Sequence, residues 1–283
     1  MNMLKISVIV TTYNWPEALE LILRALAAQA HLTSVDKGAD FEVIIADDGS
    51  TADTAERVKQ LQPNLPYYVQ HVWQEDKGFR AARARNRAIA AAKAEYLIFL
   101  DGDCVPQTDF IKRHHQLAEA GVFVAGNRIL LSQAFTNQVL ENALNQKEIW
   151  KWPTRQWLLP YLRRDINRLL PLLRLPDSVF RKHDKQKWQG AKTCNLGVWR
   201  SDLLKINGFD ERFQGWGHED AELVVRLLRS GIGRKMGSFA VPVLHLWHPE
   251  QNRFQETANR QRLEQMLKST VTWAQQGVDR YES

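Results

Sequence analysis

YLIFLDGDCVP, residues 96–106, carries a run of apolar side chains straight into two carboxylates separated by one glycine. A short run of this kind reads as a buried strand, which places Asp101 and Asp103 where the strand ends. Toward the N-terminus two more runs share the form: ISVIV (6–10) and FEVIIAD (41–47) end in the polar clusters TTYN (11–14) and DDGS (47–50). Between them Leu19, Ile22, Leu23 and Leu26 recur at helical spacing over residues 15–30. DDGSTADTAERVKQL reads as a loop feeding a helix capped by Ser50 or Thr51. A further run, YYVQHVW (67–73), precedes an alanine-rich helix over residues 80–93. Strands and helices alternating over short connections predict an α/β fold with a mainly parallel central sheet flanked by helices.

Ligands of such sheets bind beyond the carboxyl ends of the strands. That rule predicts that Asp47, Asp48, Asp101 and Asp103 converge on one rim. Four carboxylates there repel one another unless a cation or hydrogen-bond donors offset the charge. Asp and Gly also favour turns for local reasons, so any one of these loops is a weak signal. Three at one end of a sheet carry more weight. An Asp-x-Asp offers hard oxygen ligands to Mg²⁺ or Mn²⁺, and such an ion neutralises charge on a departing nucleoside diphosphate.

Composition limits the alternatives. With 283 residues and 44% hydrophobic content, the chain can bury one large α/β domain or two small ones. Cys104 and Cys194 are too few for a disulfide framework, which predicts a reducing cytoplasm. The N-terminal stretch lacks the features of a signal peptide, and no run approaches the roughly 20 apolar residues needed to cross a bilayer. The expectation is a soluble chain, or one held peripherally at the inner face of the cell membrane.

The order VIVTTYN, ADDGS, EDKGFRAARARNRAIAAAKAEYLIFLDGD and NLGVWRSDLLKINGFDERFQGWGHEDAELVVRLLRSG resembles inverting glycosyltransferases of the GT-A fold, family two. Its second half is similar to the galactosyltransferase-type C-terminal region of animal β-1,4-galactosyltransferases and bacterial chondroitin polymerase. The resemblance spans residues 4–126 and 188–250, and KINGFDERFQGWGHED (205–220) is its most specific piece. It implies a Rossmann-like nucleotide-sugar-binding part at 1–126, an acceptor-binding and catalytic part at 188–250, and a C-terminal helical tail at 251–283. It assigns Thr12, Tyr13 and Asp48 to the uracil end of a UDP-sugar, Asp101 to ribose or the metal's water shell, and Asp103 to the metal. Arg85 and Asn86 would lie at a helix start near the donor, where an arginine can pair with a rim carboxylate or with diphosphate. His245 and His248 fall where related galactosyltransferases place further metal ligands. On a straight strand residues three apart face opposite ways, so both reach one ion only if the chain bends near Trp247. Imidazole ligands shift the preference from Mg²⁺ toward Mn²⁺.

GWGHED (215–220) can also be read from its residues alone. Gly215 and Gly217 permit a tight backbone around Trp216, whose ring suits the apolar face of a sugar. Glu219 and Asp220 open a helix whose dipole favours their ionised forms, as a general base requires. Acidic residues in a first helical turn are also ordinary capping. The resemblance makes Asp220 the base and Glu219 its acceptor-binding partner.

Residues 127–187 match the family poorly and form a predicted basic helical insert. From Lys147 to Lys192 there are 12 basic against 4 acidic residues, a local charge of +8 that exceeds the +6 of the whole chain. Leu158, Leu159, Leu162, Ile166, Leu169 and Leu170 fall on one helical face, with Arg163, Arg164 and Arg168 elsewhere. Pro160 would start that helix and Pro171 end it. With three tryptophans nearby, it suits an anionic membrane surface, or else its leucines pack inward and its arginines are solvated. The acidic rim argues against a nucleic-acid partner. The combined expectation is metal-dependent, inverting transfer from a UDP-sugar to a glycan or lipid-linked glycan, in surface polysaccharide or lipooligosaccharide synthesis. A nucleotidyltransferase would carry a glycine-rich basic signature in place of TTYN. A carbohydrate-binding module would have no use for a carboxylate rim.

Overall fold

The computed structural model describes residues 6–30, 41–144, 148–178, 181, 183–184, 186–250 and 253–281; the other residues of the regions assigned above lie outside it. The first half alternates as β1 (Ile6–Thr12), α1 (Pro16–Ala30), β2 (Phe41–Asp47), α2 (Ala52–Leu61), β3 (Tyr68–Trp73), α3 (Ala81–Ala91) and β4 (Tyr96–Asp101). β5 (Cys104–Pro106), α4 (Phe110–Leu117), β6 (Val122–Ala125), β7 (Asn127–Leu130) and α5 (Gln133–Leu144) follow. A short α6 (Leu158–Leu162) among 3₁₀ turns and β8 (His183–Asp184) lead to β9 (Asn195–Trp199) and α7 (Arg200–Lys205). The chain continues through α8 (Glu219–Arg229), β10 (Gly233–Met236), β11 (Pro242–His245) and α9 (Glu256–Leu267).

The larger sheet runs β3-β2-β1-β4-β9-β6-β10-β8. β1 pairs in parallel with β2 and β4, β2 with β3, and β6 with β10. Strands buried on both faces must be apolar throughout, and β1 shows why. Val8 and Val10 enter the core on one side of the sheet, and Ile9 enters the core on the other. β9 lies antiparallel between β4 and β6, with Asn195 opposite Leu100. It therefore begins where β4 ends. In the smaller sheet, β5-β11-β7, both Cys104 and Leu130 stand opposite His245.

Three expectations need correction. Thr51 occupies the N-cap of α2 without a side-chain hydrogen bond. The Ser50 hydroxyl instead accepts the Asn14 N–H, and Asn14 Oδ1 accepts the Thr51 N–H, so this loop is tied to the end of β1. Residues 158–170 do not form one amphipathic helix: α6 ends at Leu162 and Arg164 turns to φ 62°. Ile166 then bridges Leu131, the Asp165 carbonyl accepts the Ser132 N–H, and Asn167 pairs with Leu130. Pairing with β7 and its continuation has displaced the helix. The nearby tryptophans turn inward, with Trp150 and Trp157 buried and the rings of Trp152 and Trp157 5.2 Å apart.

Asn86 is the third correction. It is fully buried, donates to the Phe209 carbonyl and Glu211 Oε1, and accepts the Phe209 N–H. It clamps α3 to the loop before α8 and is not among the residues that line the cleft described below. Removing a side chain that satisfies three buried partners leaves unpaired polar groups. Asn86→Ala should therefore lower the unfolding free energy by about 3 kcal/mol, measurable by urea denaturation, and a loss below about 1 kcal/mol would contradict the clamp.

Candidate active site

A cleft of about 900 Å³ opens along the edge where β1 and β4 end and β9 begins. Asp103 stands on its wall with Oδ2 3.6 Å from His245 Nε2 and 3.2 Å from His248 Nε2. The antiparallel pairing of β5 with β11 sets His245 opposite Cys104, one residue from Asp103. Beyond His245 the strand stops: Leu246 N–H donates to the Asp103 carbonyl and Trp247 N–H to Thr136 Oγ1. That change of direction brings His248 round to the same carboxylate.

The titration of this trio follows from its contacts. Burial works against a charged Asp103, but the hydrogen bond from His248 and the two imidazoles hold its pKa below the ordinary value. The bond to Asp103 raises His248, while burial lowers His245. His248 Nδ1 donates to the Pro249 carbonyl at 2.8 Å. With Nδ1 held by that carbonyl, Nε2 is the ring nitrogen turned toward Asp103, where a cation could sit between the two. A carboxylate and two facing imidazoles, one with its second nitrogen held by a carbonyl, fit Mn²⁺. The Cys104 thiol also lies in this cluster. Burial pushes its pKa well up and it donates to Asp103 Oδ1, so it is a poor ligand.

Arg85 organises the other end. It projects from α3, almost wholly buried, with Nη2 3.0 Å from Asp101 Oδ1 and Nη1 3.4 and 3.7 Å from Glu219 Oε1 and Asp220 Oδ1. Its Nε donates to Thr11 Oγ1. Burial alone would lower the pKa of Arg85, and the three carboxylates more than reverse that. Burial, opposed by Arg85, raises Asp101 to about 6. Burial and the neighbouring Asp220 raise Glu219 to about 7. Asp220 Oδ1 accepts the Thr193 hydroxyl at 2.5 Å. Gly215 and Gly217 take φ 75° and 102°, conformations that favour glycine, and swing the chain into α8. One face of Trp216 is covered by the Arg253 guanidinium, 4.6 Å from the ring centre.

Thr12, Tyr13 and Asp48 line a third part of the cleft. Thr12 is buried, whereas Tyr13 is half exposed and donates its hydroxyl to Asp76 Oδ2. Asp48 accepts from Gln74 Nε2 and the Arg80 N–H, and burial lifts its pKa to about 6. Asp47 departs from the expected rim. It accepts the N–H groups of Gly49 and Ser50, faces His71 Nε2 at 2.8 Å, and does not line the cleft. The loop spends this carboxylate on its own closure. Two residues escape sequence reasoning: Thr193, which donates to the cleft residue Asp220 though no motif marks it, and Arg128, a cleft residue at the edge of the stretch read as an insert.

Residues 7–173, more than half of the chain, match the family described as Glycosyl transferase family 2. The chain belongs to glycosyl transferase family 2. Residues 177–248 match a second description, the N-terminal domain of galactosyltransferase. Among curated relatives, validoxylamine A glucosyltransferase of Streptomyces hygroscopicus subsp. jinggangensis is 29% identical over 237 residues, covering 80% of this chain and 52% of the relative. Chondroitin synthase of Escherichia coli is 27% identical over 243 residues, 80% of this chain and 32% of that one. The chain thus spans about half, or less, of the length of these relatives. In structure it resembles the mannosyltransferase PcManGT of Pyrobaculum calidifontis, solved with GDP-Man and Mn²⁺, at TM-score 0.57 and 19% identity over 95% of this chain and 64% of that one. Residues 1–349 of S. aureus TarS, solved with UDP, align at TM-score 0.57 and 16% identity over 98% and 68% of the two chains. These likenesses establish the GT-A fold of this family 2 member.

The buried Asp48 sets a pH dependence with a definite sign. Its folded pKa of about 6 lies above the ordinary 3.8, so it contributes stability that is full below 3.8 and lost as pH rises through 6. Asp48→Asn should flatten the dependence of Tm on pH between about 4 and 6 relative to wild type. Parallel curves for the two proteins would show that Asp48 titrates normally.

Proposed function

We propose that this family 2 chain is a metal-dependent, inverting glycosyltransferase that moves a sugar from a UDP-sugar to a hydroxyl of a glycan. The carrying observation is that one cleft holds Asp103 with His245 and His248 and also the carboxylates of Glu219 and Asp220. Asp103 and the two histidines would hold Mn²⁺, with Mg²⁺ as the weaker alternative. Bound there, such an ion would supply positive charge to offset that of the departing diphosphate. Thr12, Tyr13 and Asp48 receive the uracil end, and Asp101, held by Arg85, the ribose or the ion's water shell. Asp220 takes the proton of the acceptor hydroxyl, with Thr193 fixing the carboxylate's orientation. Glu219, raised to about 7, can donate or accept a hydrogen bond to the acceptor, and Trp216 borders the donor's sugar ring. Supporting the donor and metal are the GDP-Man and Mn²⁺ named with PcManGT and the UDP named with TarS. Supporting a polysaccharide acceptor are the names chondroitin synthase and, for a Pasteurella multocida relative, hyaluronan synthase.

The acceptor is proposed to be a surface polysaccharide or lipooligosaccharide intermediate, presented at the cytoplasmic face of an anionic membrane. No helix among the described residues is long and apolar enough to cross a bilayer. Leu158, Leu159, Leu162, Leu170 and Leu173 are 52–69% exposed, with exposed Arg163, Arg164 and Arg168 around them. This knuckle pairs with Leu130 and Leu131, which themselves line the cleft, so a membrane against it brings a lipid-linked glycan to the cleft mouth.

Screening UDP-sugars with and without Mn²⁺ tests the reaction. Asp103→Ala should abolish transfer and the Mn²⁺ dependence of UDP binding in a folded protein. Asp220→Asn should lower kcat by about 10²- to 10⁴-fold while UDP affinity holds. An equal fall in UDP affinity would remove Asp220 from the role of base.

For the membrane, the chain should sediment with vesicles rich in anionic lipid and release as salt rises. Replacing Arg163, Arg164 and Arg168 with glutamine should weaken attachment by about 1 kcal/mol per arginine and leave turnover on a small soluble acceptor unchanged. Undiminished vesicle binding by the triple variant would count against this surface.

A further inference from the structure

Arg128 is a cleft residue that no motif and no contact accounts for. It lies on β7, half-buried, and lines the cleft. β7 runs parallel to β11 with Arg128 opposite Val243 and Leu130 opposite His245. Alternation along the strand puts Arg128 on the same face of this sheet as His245. Both His245 and His248 line the same cleft as Arg128. Among the described residues it has no hydrogen-bond or ion-pair partner. The other guanidiniums of the cleft are engaged: Arg85 with three carboxylates, and Arg253 with Glu250 and the Trp216 ring.

An unpaired guanidinium beside imidazoles that would hold a divalent cation is an unfavourable arrangement. Like charges in a partly desolvated pocket repel, and Asp103 offers one negative charge against both. The arrangement becomes favourable when an anion bridges the two cationic positions. Arginine presents five donors in a planar fork that matches phosphate oxygens two at a time. Asp101 is held by Arg85 together with Glu219 and Asp220, at the acidic end. The cleft is therefore polarised along its length.

Resting on the glycosyltransferase reading, we propose that Arg128 is the phosphate-binding residue of the cleft and takes up the charge of the departing nucleoside diphosphate. The acceptor oxygen bonds to the anomeric carbon as the bond from that carbon to the β-phosphate oxygen breaks. Its electron pair leaves with the phosphate, and the hydroxyl proton passes to Asp220. The β-phosphate thus gains one negative charge, which the Arg128 fork meets. Because this charge is largest after bond cleavage, Arg128 contributes more to the transition state than to binding of the intact donor.

Calorimetry with UDP and uridine, beside steady-state kinetics, tests the assignment. Arg128→Gln should weaken UDP binding about 10- to 100-fold without metal, leave uridine binding unchanged, and lower kcat more than it raises KM for the sugar nucleotide. Arg128→Lys should restore part of both, since a point charge replaces the fork. Unchanged UDP affinity in Arg128→Gln overturns the proposal. So does an equal loss of UDP and uridine, or a defect confined to KM for the acceptor. A wild-type protein that binds UDP no more tightly than uridine would overturn the glycosyltransferase reading instead.

Discussion

The buried Arg85 guanidinium is the contact on which the cleft depends. It joins the end of β1 through Thr11, the end of β4 through Asp101 and the start of α8 through Glu219 and Asp220. Two like charges about 4 Å apart cost on the order of 4 kcal/mol at an effective dielectric near 20, so three carboxylates cannot share this space unaided. One guanidinium offsets part of that repulsion. Burial, together with the repulsion that remains, raises Asp101 to about 6 and Glu219 to about 7. The acidic end thus remains ready to take protons and hydrogen-bond donors from whatever enters.

Arg85 can make these contacts because of the direction of β9. Parallel strands alone would bring only loops of the first half to this edge. An antiparallel β9, entering beside β4 with Asn195 opposite Leu100, starts at the edge where β4 finishes. Thr193, two residues earlier, then reaches Asp220. The tail reinforces the same joint: Ala274 and Val278 N–H donate to the carbonyls of Ile206 and Asn207, just before the turn that leads to α8. The two halves of the chain share a single sheet, and the cleft is their seam.

Much of this was legible in the residues. The apolar runs of β1, β2 and β4 announced doubly buried strands, and the rule that ligands sit past strand ends located Asp48, Asp101 and Asp103. What stayed hidden depended on partners distant in sequence. Asp47 and Asp48 are adjacent and identical, yet one closes its own loop against His71 while the other faces the cleft. No local signal separates them. The leucine spacing of 158–170 is genuinely helical, but pairing with Leu130 and Leu131 competes with the helix and prevails. Arg85 could pair with a rim carboxylate or with diphosphate on its sequence alone; it takes the rim carboxylate Asp101, and its reach to Glu219 and Asp220 became visible only once α8 was in place. His245 and His248 converge because the chain turns at Leu246 and Trp247, as their spacing required.

The glycine of YLIFLDGDCVP has its explanation in the same geometry. Gly102 donates its N–H to the Thr11 carbonyl, and a Cβ there would meet that carbonyl oxygen at 2.9 Å and the Thr12 side chain at 3.2 Å. Any larger residue would push β4 away from β1 at the point where both enter the cleft. Seated against β1, the glycine ends β4 at Asp101 and lets the chain turn into β5, which pairs with β11. Its two neighbours therefore part company. Asp101 stays with the parallel sheet and is claimed by Arg85, while Asp103 goes with the smaller sheet and is claimed by the histidines of β11 and its extension. A single residue pressed against the neighbouring strand thus turns two like charges into two separate poles.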